Sequence, residues 1–356
     1  MATYYDGSKL LSMKDINGDI PEIYICTTNR SAGKTTYFSK LLLDKFLENR
    51  EKFAIIYRFN YELDNVADKF FKDINSLFFP EYTMISKRQA SGIYHELFIG
   101  KITNNMDNNE FVGESCGYAI TLNSADQLKK YSHFFSDIQR MMFDEFQSET
   151  NHYCSDETTK LKSLHTTVAR GQGKQVRYVP VYMVGNPVTL LNPYYVEMGI
   201  CDRLRSNTKF LRGEGYVMEQ GFLESAAKAQ SESAFNRAFG NNRYATYAAQ
   251  GVYLNDNLAF IEKPTGKSTY IGTIRYMGKD YAIRSYSEQG ILYCDKHADL
   301  TYKHKLAVTT EDHNINYVML KSFSPFIENM RYYFDRGCFR FRDLQCKEAI
   351  LKMLSY

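Results

Sequence analysis

The chain has no tryptophan, no Cys-x-x-Cys pair and almost no net charge. Seven cysteines, an odd number at wide spacings, argue against a zinc site and a disulfide framework, and fit a reducing compartment. No apolar run approaches the roughly 20 residues a membrane helix needs, so no membrane association is expected. The opening MATYYDGSKLL lacks the charged-then-apolar layout of a secretory leader, which points to the cytoplasm where the chain is made. A formal charge of +3 does not announce a nucleic-acid binder; only local charge can do so. Internal repeats and low-complexity tracts are also lacking. The missing tryptophan carries no functional meaning.

What is present is a globular composition, 44% hydrophobic and 24% charged, in 356 residues, long enough for two cores. The first two-thirds alternates strand and helix patterns. Residues 22–27 (EIYICT), 53–58 (FAIIYR), 117–122 (GYAITL), 138–143 (IQRMMF) and 176–184 (VRYVPVYMV) read as strands, and 91–102 as part of an edge hairpin. Helical periodicity occupies about 35–47, 61–77 and 159–169, with a polar helix running to 131. This alternation predicts an α/β fold with a mostly parallel sheet and helices on both faces. After about residue 205 the pattern changes. Residues 219–239 read as a helical connector, and the chain then becomes strand-rich, with a hairpin around Met277-Gly278 and helices near 313–328 and 341–354. The expected division is 1–205, a linker over 206–245, and a smaller α+β domain over 246–356.

Two segments carry chemistry. Residues 28–35, Thr28-Asn29-Arg30-Ser31-Ala32-Gly33-Lys34-Thr35, match the last three positions of the G-x-x-x-x-G-K-[ST] phosphate loop, with Thr28 in place of its first glycine. As a bare string, A-G-K-T also occurs in surface turns. Its setting, after a strand and before a helix, is what makes it an anion cradle of backbone amides. Thr28 through Thr36 are the candidate nucleotide-binding residues. Lys34 would reach the β- and γ-phosphates of ATP, and the Thr35 hydroxyl would ligate Mg²⁺. Farther on, the apolar run 138–143 ends in Asp144-Glu145, placing two carboxylates where open α/β sheets bind ligands. Asp144 would hold Mg²⁺ through water, and Glu145 would deprotonate the attacking water. A solvated pair ending a strand is the plainer alternative.

Two further residues fit around that pair. Asn186, in Gly185-Asn186-Pro187 at a strand tip, would sense the γ-phosphate; a simple turn is the alternative. Arg170 ends a helix and precedes Gly171-Gln172-Gly173. It would serve either as an arginine finger for a neighbouring subunit or as a cation favoured at a helix C-terminus.

The loop TTNRSAGKTT, the segment IQRMMFDEF, the preceding GYAITLNSADQLKKY and the later VARGQGK and MVGNP together resemble the DNA-packaging ATPases (encapsidation proteins) of small short-tailed phages, relatives of large terminase subunits. The resemblance covers residues 1 to about 205 well and the rest loosely. It implies a P-loop ATPase domain of the ASCE type, in which Lys34 and Thr35 bind nucleotide, Asp144 and Glu145 are metal ligand and base, and Arg170 is the trans finger. It further implies translocation of double-stranded DNA by a homo-oligomeric ring, a pentamer, on the portal of a prohead in the host-cell cytoplasm. A packaging RNA would act as scaffold.

The same resemblance implies an RNase H-like C-terminal domain. Its first long strand, YIGTIRY (270–276), has no acid, and Asp256, Glu262, Asp280, Asp295 and Asp299 are scattered, so the nuclease is expected to be vestigial. Basic residues concentrate in RLRSNTKFLR (203–212), with Arg203 and Arg205, and in RYYFDRGCFRFR (331–342), with Arg331, Arg336, Arg340 and Arg342. With Lys174 and Arg177 these are candidate DNA or RNA contacts. An amphipathic segment with core aromatics and surface arginines is the simpler reading of the second tract. The rival functions are a terminase with an active nuclease, a P-loop helicase, and a nucleotide-dependent switch that barely turns over.

Overall fold

The computed structural model describes residues 4–105, 108–150, 152–201, 203–204, 208–238, 259–319 and 324–354. They form two compact units, Met1–Asn255 and Asp256–Tyr356.

The first unit runs α1 (Ser8–Ser12), β1 (Ile23–Thr27), α2 (Lys34–Asn49), β2 (Lys52–Tyr57), α3 (Val66–Phe78), β3 (Thr83–Gln89), β4 (Tyr94–Asn105), β5 (Asn108–Thr121), α4 (Ala125–Leu128), β6 (Ile138–Asp144), α5 (Glu157–Val168), β7 (Val181–Gly185), α6 (Pro193–Glu197), β8 (Phe210–Gly213), β9 (Tyr216–Gln220), α7 (Glu224–Glu232) and α8 (Ala234–Ala238). Its nine-stranded sheet has the order β3-β4-β5-β2-β6-β7-β1-β9-β8. From β5 to β9 every pairing is parallel; the flanks, β3-β4-β5 and β9-β8, are antiparallel. The expected mostly parallel α/β sheet is therefore what the chain builds. Strand β7 stands between β1 and β6, so at about 4.8 Å per strand the ends of β1 and β6 lie roughly 10 Å apart.

Parallel strands are buried on both faces, which is why they read as continuous apolar runs. Successive β1 residues go to opposite sides. Ile25 joins Phe143, Leu161, Leu164 and Tyr194 in one core; Tyr24 and Cys26 join Phe38, Leu42, Phe46 and Phe70 in the other. Helices α2 and α3 cover one face, α5 and α6 the other.

Four expectations are corrected here. The strand expected over 176–184 is only β7, because Pro180 lacks an amide and Arg177 turns into the interior while Val176 and Tyr178 are exposed. The stretch expected to be a helix from 219 begins as β9, which pairs with β1 through Cys26↔Glu219. The boundary expected at 205 accordingly gives way to a first unit reaching Asn255, since β8 and β9 belong to the main sheet. The polar helix expected before β6 is one turn, α4, followed by 3-10 turns over Lys129–Asp137.

The second unit contains β10 (Thr269–Tyr276), β11 (Lys279–Tyr286), β12 (Ile291–Asp295), β13 (Lys305–Ala307), β14 (Val318–Met319), α9 (Ser324–Asp335), β15 (Phe339–Phe341) and α10 (Leu344–Leu354). Its sheet order is β14-β13-β10-β11-β12-β15. The first three strands form an antiparallel meander and β13 and β14 add in parallel, the RNase H-like arrangement. The β10–β11 turn uses Met277 (φ 51°) and Gly278 (φ 71°), two left-handed residues as a tight hairpin demands. The terminal helices lie later than their periodicity suggested, because β14 and β15 precede them.

Candidate active site

Strand β1 ends at Thr27 and α2 begins at Lys34, so the six residues between form the loop. Two of them are left-handed, Ser31 (φ 61°) and Gly33 (φ 88°). The first amides of α2 have no partner within the helix by geometry, and the helix dipole makes that end attractive to anions. Lys34, in the first turn, is buried. Its Nζ donates to Asn186 Oδ1 at 2.7 Å. Burial pulls the ammonium below its ordinary value, against the opposing pull of Cys26, Asp144 and Glu145.

Asp144 ends β6 on the same rim. The Thr35 hydroxyl donates to its Oδ1 at 3.1 Å, and the Glu145 amide donates to it at 3.0 Å. Burial and then the neighbouring Glu145 push the Asp144 carboxyl up to about 6, while Lys34, the Glu145 amide and Thr35 hold it down. The Thr35 hydroxyl and an oxygen of the Asp144 carboxyl, raised first by burial and then by Glu145, are ligands that a small divalent cation takes; Mg²⁺ needs one or two protein ligands when phosphates supply the rest. Glu145 is exposed and left-handed at φ 51°, a conformation uncommon outside glycine.

The loops around this rim are tied together. Arg30 forms an ion pair with Glu149, beyond the acidic strand. Gln147 Oε1 accepts from the amides of Val188 and Thr189, both at 3.0 Å, joining the loop after β6 to the loop bearing Asn186. Asn29 Nδ2 donates to Leu223 O at 3.1 Å and its Oδ1 accepts from Leu223 N at 2.9 Å. Gln230 Nε2 reaches Ser31 Oγ at 2.7 Å. The structure thus brings Lys34, Thr35, Asp144 and Asn186 into one hydrogen-bonded rim, with Thr28, Ala32 and Thr36 in the adjoining loop and first turn.

Arg170 is elsewhere. It follows α5 directly and is exposed, on a turn closed by reciprocal Gly171–Lys174 backbone bonds, with Gly171, Gln172 and Gly173 all left-handed.

Several basic residues expected to meet nucleic acid have other work. Arg177 is buried, and its guanidinium donates to Ile138 O at 3.1 Å and Val168 O at 2.7 Å; it caps interior carbonyls and offers no charge at the surface. Arg340 pairs with Glu262 and donates to Gly337 O at 2.6 Å. Arg336 lies over the Tyr332 ring, and Arg331 donates to Leu354 O. Arg342 meets His297. Phe339 and Phe341 are buried in the core. The tract 331–342 thus buries Phe339 and Phe341, half-buries Tyr333, Phe334 and Arg340, and exposes Tyr332, Arg331, Arg336 and Arg342. Lys174 and Arg203 are exposed, the latter holding Tyr216 Oη at 3.0 Å. Arg205 and Asp256 lie outside the described residues.

Sequence reasoning missed Arg58, Glu157, Gln147 and Glu149. Arg58 had a visible signal, a charge placed directly after an apolar strand that runs beside the acidic one.

The family model of the Podovirus DNA encapsidation protein (Gp16) matches residues 1–355. The chain is similar to the DNA packaging protein of Bacillus phage phi29, 23% identical over 322 residues, covering 90% of this chain and 87% of that one. It is equally similar to the DNA packaging protein of Bacillus phage B103, 23% identical over 333 residues and covering 92% and 93%. Among solved structures it shares its fold with a chain of the bacteriophage phi29 viral genome packaging motor assembly, at 22% identity, 99% and 100% coverage and a TM-score of 0.69. A chain of the phi28 gp11 DNA packaging motor follows at 17% identity, 99% and 98% coverage and a TM-score of 0.57.

Proposed function

The chain belongs to the Podovirus DNA encapsidation protein family, and we propose that it drives DNA packaging by hydrolysing ATP between the loop of Lys34 and the Asp144–Glu145 pair. Packaging of phage DNA is the family's work. One contact supports placing the chemistry here: Thr35 Oγ1 at 3.1 Å from Asp144 Oδ1, which closes the phosphate loop onto the acidic strand across β7.

In this reading the loop amides and Lys34 take the triphosphate, and Lys34 leaves Asn186 for the γ-phosphate oxygens. Thr35 and Asp144 would hold Mg²⁺, which neutralises phosphate charge when bound. Glu145, exposed beside the metal position, accepts a proton from the attacking water. Asn186, released from Lys34, is free to hydrogen-bond the γ-phosphate, and Gln147 carries that change back to the loop after β6. The energy is applied to double-stranded DNA entering a prohead. A ring of copies on the portal, each Arg170 serving the next subunit, and an RNA scaffold complete the proposal. Pentameric stoichiometry rests on the resemblance alone.

The nuclease alternative needs several convergent carboxylates. In the second unit Asp280 is paired with Arg275 and Asp295 with Arg284, both at 3.1 Å, and Glu262 with Arg340. Arginine-neutralised carboxylates support a vestigial nuclease fold.

The test is ATP turnover of the full chain with and without duplex DNA and proheads, with plasmid cleavage as a control. Lys34→Ala and Glu145→Gln should each abolish turnover. Sustained hydrolysis by Glu145→Gln sinks the assignment; intact partner binding without any wild-type turnover returns the switch reading.

A further inference from the structure

Strand β2 pairs in parallel with β6 through Ile56↔Phe143, so the next residues, Tyr57 and Arg58, run level with Asp144 and Glu145. A guanidinium at that place is costly to bury, yet Arg58 is buried. Its donors are spent in two directions. Nε and Nη2 make a bidentate pair with Glu157, to Oε2 at 2.8 Å and Oε1 at 2.9 Å. Nη2 also donates to Phe146 O at 2.8 Å and Nη1 to Glu145 O at 3.4 Å. The rings of Phe143 and Tyr153 flank it, with centroids at 5.4 and 4.9 Å. Glu157 is fixed in turn by Cys154 N at 2.8 Å and Tyr194 Oη at 2.7 Å.

Two consecutive carbonyls of the left-handed turn at Glu145 are thus grasped by one planar group. A structural ion pair does not need those two bonds; a turn that must present a carboxylate in one place does. We infer that Arg58 is a positioning residue for Glu145, and that Glu157 references the same turn to helix α5, the helix that ends beside Arg170. The inference rests on Glu145 being the base. It makes the base turn and the arginine-bearing helix one rigid body, so that a shift of α5 at a subunit contact moves the base.

Removing one buried partner alone risks unfolding, so the informative variant is Arg58→Met with Glu157→Gln. It leaves no buried charge; the glutamine oxygen can still accept from the Cys154 amide while its NH2 donates to the Tyr194 hydroxyl. The expected result is a fall in kcat of ~10²-fold, as for a reacting group displaced by about 1 Å, with KM and ADP affinity within about twofold of wild type. Arg58→Lys, which keeps the charge and loses the fork, should fall in the same manner. A double variant that turns over within about threefold of wild type overturns the inference, as does one that loses ADP binding together with turnover. If Glu145→Gln itself keeps turnover, the base assignment fails first and this inference with it; if it is dead while the Arg58 variants stay active, only this inference fails.

Discussion

Helix α5 makes Arg170 a test of how copies cooperate. Its N-terminus touches the site through Glu157, bonded to Arg58 beside the Glu145 turn. Its 12 residues rise about 18 Å. Arg170, after the last turn, is therefore far beyond the ~7 Å reach of an arginine side chain from its own γ-phosphate position, if α5 keeps its place. A catalytic role for Arg170 must be played on another subunit. Finger arginines are worth ~10³–10⁵-fold in kcat, so Arg170→Ala and Lys34→Ala assemblies should each be near background. In a mixed ring, an active interface pairs the intact loop of an Arg170→Ala copy with the intact finger of a Lys34→Ala neighbour. Random mixing at equal ratio makes about a quarter of head-to-tail interfaces active. ATPase rate in the presence of proheads and duplex DNA should follow a parabola against mixing ratio, peaking at equal parts. A flat line at background, with both variants folded and assembled, would refute the trans role.

Asn186→Ala removes the acceptor of Lys34 and the γ-phosphate partner, and steady-state kinetics should show kcat falling ~10-fold or more with a smaller change in KM. Gly221→Ala places a Cβ 3.0 Å from Thr28 Cγ2, an overpacking of about 1–3 kcal/mol; nucleotide affinity should weaken, and Thr28→Gly in the same chain should restore it. Burial would lower His165, but Glu22 and the Val179 carbonyl outweigh it and raise the imidazole; Glu22, despite burial, is lowered by His165 and the Val179 amide. The His165 contribution is therefore complete below its ordinary 6.5 and lost as pH rises through its raised value, while that of Glu22 is present above 4.5 and lost on acidification. In urea unfolding, the deficit of His165→Gln should be greatest at pH 5–6.5, about 1 kcal/mol or less for this half-exposed pair, and shrink by pH 9. Phe341→Ala should lower stability by about 3–5 kcal/mol, visible as a lower Tm, because the ring is fully buried.

What the sequence disclosed was whatever is written contiguously. Strand, loop and helix stand in one stretch from residue 23 to 49, and the acidic pair follows its own strand, so the sheet class and these side chains could be read before any contact was known. What stayed hidden depends on pairing across distance. Strand β9 lies beside β1 although nearly 200 residues separate Cys26 from Glu219, and no periodicity announces that. The clamp of Arg58 and Glu157 spans a sequence separation of 99. Arg177 reads in the sequence only as a further basic residue, yet the missing amide of Pro180 frees the segment from the ladder and the guanidinium turns inward while Val176 and Tyr178 face outward.

The same distinction explains the degenerate phosphate loop. A glycine at the first position serves a tight turn and close approach, but Thr28 is not among the left-handed residues; Ser31 and Gly33 are. Close approach is provided from the other side. Gly221, just after β9, donates its amide to Thr27 O at 2.8 Å, and its bare Cα leaves room for the Thr28 methyl. Asn29, locked in both directions to Leu223, and Ser31, held by Gln230, complete a brace from the segment that follows β9. The loop thus has its shape imposed partly by tertiary contacts and less by its own glycines. A triphosphate bound there as proposed would meet α7 directly, through the Gln230–Ser31 bond.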